Sequence, residues 1–128
     1  MTTSNGTVTT ITFDQELLDT DAYHSTVTNT NRLTIPTGKS GYFLWIVQGA
    51  WETNATGQRQ FIFYKNGTRL ATGYDSITDS DGYATLTRTY VLNLAAGDYV
   101  EVRGYQSSGG NLDIRFEELQ MSIVYLGA

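Results

Sequence analysis

Residues 42–47, Tyr-Phe-Leu-Trp-Ile-Val, are apolar on both faces of an extended chain. Successive side chains of a strand point to opposite sides. Tyr42, Leu44 and Ile46 therefore face one way, and Phe43, Trp45 and Val47 face the other. A strand of this kind needs two covers, and no other feature constrains the fold as strongly. The C-terminal run repeats the pattern, with Leu119, Met121, Ile123 and Tyr125 on one face and Val124 and Leu126 on the second. Residues 85–93 are two-sided instead: Leu86, Tyr90 and Leu92, continued by Leu94, oppose Thr85, Thr87, Thr89 and Asn93.

No helix is available to supply the missing cover. The best helical window, 14–24, breaks into polar residues after Leu17 and Leu18, and no i, i+3, i+4, i+7 stripe continues it. Short β-branched and aromatic runs recur instead, punctuated by Pro36 and thirteen glycines. They predict strands near 7–13, 22–28, 31–36, 41–52, 58–65, 68–74, 83–94, 98–106 and 112–126, the last interrupted. The class is all-β, an antiparallel sandwich. Such a sandwich keeps one face of each sheet wet, so the second cover is expected to be another copy of the chain.

Two turns are locally specified. Asn66-Gly67 lies between two strand-like runs, the pairing that a two-residue hairpin turn with positive φ demands. Leu94-Ala-Ala-Gly-Asp98 is the second, and Asp98 is read there as a turn residue whose carboxylate bonds nearby backbone N–H groups. Residues 107–111 form a loop tip and 75–82 a longer polar loop.

The chain of 128 residues carries a formal charge of -5, eight basic and thirteen acidic residues, one histidine and no cysteine. That excludes disulfides, thiolate chemistry and cysteine metal sites. It also argues against a nucleic-acid partner and against an anionic membrane surface. Residues 1–10 show neither a basic nor an apolar signal region. Hydrolysis by a serine nucleophile would depend on His24, which lies in a predicted strand edge or loop. Glycosidase carboxylates would come from Asp75, Asp79, Asp81, Glu117 and Glu118, but Glu117 and Glu118 are adjacent and diverge on a strand. Asp75, Asp79 and Asp81 are the weak candidates for a structural calcium site, since 75–82 lacks the full calcium-loop pattern. No other cofactor is expected and no catalytic residue is assigned. The N-x-T sequons at Asn5, Asn54 and Asn66 carry no functional weight.

The ordered set of segments resembles a known family. Ile35, Pro36, Gly41, Tyr42 and Phe43, then Asn66-Gly67, then Leu92, Leu94, Gly97, Asp98 and Val100 follow in sequence. Over residues 8–127 they are similar to the globular head of complement subcomponent q, within the tumour-necrosis-factor-like jelly rolls. The resemblance implies a jelly-roll β-sandwich of about ten strands, packed as a tight homotrimer about an apolar axis, with no enzymatic activity. The axis residues expected are Tyr42, Phe43, Trp45, Val47, Val124 and Leu126. A binding surface on loops is expected at Trp51, Tyr74, Tyr83 and Tyr105. Residues 1–7 are expected to be a short flexible arm before a single domain, 8–128. No collagen stalk is visible, so the chain looks like a free-standing bacterial or bacteriophage version. The expected role is a virion component, a capsid decoration protein or a fibre tip, anchored by that arm to a capsid or fibre protein at the virion surface. The alternative is an extracellular or cell-surface module that binds glycan or protein.

Overall fold

A computed structural model describes residues 1–76 and 82–128. Among them are ten strands: β1 (Thr2–Thr3), β2 (Thr9–Thr10), β3 (Arg32–Thr34), β4 (Gly41–Trp51), β5 (Gln58–Lys65), β6 (Thr68–Ser76), β7 (Ala84–Leu94), β8 (Tyr99–Gln106), β9 (Leu112–Asp113) and β10 (Gln120–Gly127). Two main sheets face each other, β10-β4-β7 and β2-β8-β5-β6, with β3 also on β8. A small third sheet joins β1 to β9. All strand pairs are antiparallel. The fold is a jelly-roll β-sandwich.

The even pairing of β4 settles which of its faces points in. Phe43 lies beside Leu92, and Trp45 beside Tyr90. Their rings enter the space between the sheets, where Trp45 meets Phe63 edge-on at 5.4 Å and Trp51 stacks on Phe61 at 5.8 Å. Ile11, Ile35, Leu94, Val100, Val102 and Ile114 complete that core. Close-packed aromatics of this size dominate the burial energy.

Two expectations need correction. Residues 22–28 are not a strand. Ala22 and Asn29 take positive φ, at 61° and 53°. The N–H groups of Tyr23 and His24 donate to the Asp19 carboxylate, and those of Val27 and Thr28 donate to Ser25 Oγ. Local side chains thus satisfy donors that a strand would give to a neighbour.

Residues 1–7 are not a free arm. Thr2 and Thr3 pair with Asp113 and Leu112, and buried Thr3 donates its hydroxyl to the Leu112 carbonyl at 2.7 Å. The Gly6 amide donates to the Gln106 carbonyl, and Asn5 Oδ1 accepts from the Gly109 amide.

The long strand expected over 83–94 and its neighbour over 98–106 do form, and 112–126 is interrupted as expected. A 3-10 turn, Phe116–Glu118, separates β9 from β10.

Asp98 turns the chain. Its carboxylate accepts from the Ala95 amide at 2.9 Å and from Asn66 Nδ2 at 2.8 Å, and lies 3.1 Å from Lys65 Nζ. Asn66 Oδ1 in return accepts the Tyr99 amide. One carboxylate therefore ties the Asn66-Gly67 hairpin to the β7–β8 turn. The Ala95 amide, then the Asn66 amide, hold its pKa below the usual carboxylate value.

Candidate homotypic interface

The outward face of β10-β4-β7 is built in rows set by register. Leu44 lies between Val91 and Val124, Ile46 between Thr89 and Ser122, and Gln48 between Thr87 and Gln120. At one end Tyr42 sits beside Asn93 and Gly127, where the β10 register shifts and leaves Leu126. Gly41 is required there: a Cβ would fall 2.3 Å from the Gly127 carbonyl oxygen. Tyr42, Val91, Val124 and Leu126 are 49–60 % exposed, while Leu44 and Ile46 are half-buried. The face is apolar in its upper half and hydroxyl- and amide-bearing below.

Of the expected axis residues, Tyr42, Val124 and Leu126 lie on this face. Phe43, Trp45 and Val47 do not: each is at most 1 % exposed, inside the protomer's own sandwich. Alternation sends them to the side opposite Tyr42, and the second sheet covers them. Val91 was missed, although it is the one apolar residue of its strand on the side of Thr85, Thr87, Thr89 and Asn93.

The expected loop surface separates as well. Trp51 is fully buried at the end of β4, against Phe61. Tyr74 belongs to β6 and half-buried Tyr105 to β8, so neither is a loop residue. Tyr83 alone is exposed outside a strand, with the Arg115 guanidinium 3.8 Å over its ring. Arg115 also gathers Glu52 at 2.9 Å, Glu118 at 3.0 Å and Glu117 at 3.6 Å. Glu118 leads the causes that push its pKa up. Glu117 and Glu118 thus converge on one cation rather than framing a substrate. Of the calcium candidates, Asp75 lies within β6, and Asp79 and Asp81 lie outside the described residues.

His24 is engaged on both ring nitrogens. Nε2 faces the Thr30 carbonyl at 3.1 Å and Nδ1 the Glu16 carboxylate at 3.0 Å. Neither contact is a hydroxyl nucleophile. The ring instead ties together the segment 12–31, which leaves a groove of about 840 Å³ between residues 12–24 and residues 116–125. Leu17 and Leu18 stand on its rim, 91 % and 84 % exposed.

No family model and no curated protein matches the chain. Solved structures do. The globular domain of zebrafish complement 1qA protein is 13 % identical, with a TM-score of 0.65 over 99 % of this chain and 91 % of that one. Murine APRIL is 18 % identical, with a TM-score of 0.69 over 98 % and 92 %. The Eiger TNF of S. frugiperda is 18 % identical, with a TM-score of 0.60 over 78 % and 67 %. At these identities the likeness carries the architecture, and the chain has the jelly-roll fold of the complement 1q and tumour-necrosis-factor domains.

Proposed function

We propose that this chain is a non-enzymatic head that works as a homotrimer, associating through the outward face of β10-β4-β7 and binding partners with what remains exposed. The observation that carries the reading is the row Val91-Leu44-Val124, extended by Tyr42 and Leu126, left open on one sheet. Covering a Val, Leu or aromatic side chain contributes about 1.5–3 kcal/mol when complete, so five half-open residues on each copy give association a substantial drive. The jelly-roll likeness supports the number three. The engaged state of His24, Glu117 and Glu118 supports the absence of catalysis.

A virion surface is the setting we propose for this head. The docking of residues 1–6 puts the proposed attachment on exposed loops rather than on an N-terminal tether. A glycan-binding role on the four expected aromatics loses Trp51 to the core.

Light scattering after size exclusion tests the association. A mass near three times 14.2 kDa is expected at micromolar concentration, and a monomer would overturn the reading.

A further inference from the structure

The two edges of the β10-β4-β7 sheet carry opposite chemistry. Along β10 runs the groove under residues 12–24, and its lining holds Asp14, Glu16, Asp19, Asp21 and Glu117 but no lysine or arginine. Glu16 meets His24, Asp21 meets Lys39, and Asp19 caps backbone amides. Exposed Asp14 has no cationic partner among the described residues. Glu117 is 78 % exposed at the edge of the Arg115 cluster.

At the far edge, β7 lies against β6, and the two sheets meet. Arg88 donates from β7 to the Thr72 carbonyl on β6 at 3.1 Å, and Arg69 donates to the Thr72 hydroxyl. Both guanidiniums are exposed, and neither meets a carboxylate among the described residues. Leu70, next to Arg69 on β6, is in the open, 41 % exposed.

A closed ring of three needs a heterologous contact, in which two different patches of the same chain meet. We infer that the acidic groove beside β10 of one copy receives the Arg69–Leu70–Arg88 edge of the next. The occupant is a second copy for two reasons. Unlike charges lie beside opposite edges of the β10-β4-β7 sheet, the carboxylates next to β10 and the guanidiniums on β7 and the adjoining β6, where a head-to-tail neighbour presents them to each other. Val124 also belongs to both the groove lining and the outward apolar face, so the groove continues the surface proposed above. Leu17 and Leu18 then gain the cover that the protomer does not give them, and Leu70 is the apolar residue positioned to supply it.

The inference rests on the homotrimer reading, and charge reversal separates the two. R69E/R88E is expected to raise the dissociation midpoint at least roughly tenfold, because like charges brought together in an interface repel strongly. D14R/E117R is expected to do the same, since all four residues are exposed and the fold should keep its circular dichroism melt. The chain carrying all four changes restores opposite charge at every contact, and its midpoint is expected to return towards wild type. That recovery cannot come from a damaged fold. A wild-type trimer that R69E/R88E leaves unchanged, or a fourfold variant no tighter than its parents, overturns the charged contact while the apolar trimer stands. A monomeric wild type overturns both.

Discussion

The two faces of β4 use the same kinds of residue and meet opposite fates. Phe43, Trp45 and Val47 are closed off by the second sheet, while Tyr42, Leu44 and Ile46, one step away on the same strand, remain half-open or exposed. Hydrophobicity does not distinguish them. What does is the position of the other sheet, and that follows from contacts far away in sequence: Trp45 finds Phe63 and Tyr90, and Trp51 finds Phe61. The inner face stabilises one protomer, and the outer face is available to hold copies together.

Truncation should separate the faces most sharply. Trp45→Ala is expected to remove about 3–5 kcal/mol of folding stability, the loss typical of a large buried aromatic, read by chemical denaturation. Leu44→Ala should cost a dissociated protomer about 1 kcal/mol or less, since that side chain is only half-buried and surface-like changes act weakly on folding. Equal losses at the two positions would erase the distinction. The outer face should answer instead to charge. Val91→Asp with Val124→Asp places two carboxylates where an apolar contact would bury them unpaired. Size exclusion should show dissociation to protomers, with the dilute protomer's denaturation midpoint nearly unchanged. An intact assembly would move the interface elsewhere on the molecule.

Alternation, the long strands and the hairpin at Asn66-Gly67 were legible because each depends on neighbours in the chain. The doubly apolar character of β4 and β10 was equally plain. Which face of β4 turns inward was not, because a period of two marks two faces without ranking them, so Phe43, Trp45 and Val47 were expected at an interface and lie instead in the protomer's own core. Trp51 went astray for a related reason: it ends its strand, and its burial is decided by Phe61 and Ile114 from other elements. Residues 22–28 look like a strand by β-branched content, yet the Asp19 and Ser25 side chains claim their amides. The N-terminal threonines look like a tail, yet β9 has an edge for them to pair with. Val91 was readable in principle, as a lone apolar residue on a threonine face, but only its register with Leu44 and Val124 gives it a purpose.

That register is itself held by a turn, which gives the smallest and most local test. A slip of β7 by one residue would send Val91 inward and Leu92 outward. The β7–β8 connection resists this through Asp98, which fixes the Ala95 amide and Asn66 together. Its folded pKa lies below the ordinary value of 3.8, so the unfolded chain takes up the proton first as pH falls. The carboxylate's contribution is therefore complete above the unfolded value and is lost as pH drops through the folded one, a window below about pH 4. Asp98→Asn should cost about 1 kcal/mol at pH 7, the scale of a lost charge-assisted hydrogen bond at a partly exposed turn. The difference from wild type should narrow as pH falls below about 4. Denaturation midpoints of both proteins across pH 3–7 measure it directly. A gap that stays constant with pH would mean that Asp98 acts by shape alone and that its charge does not hold the register separating the two faces.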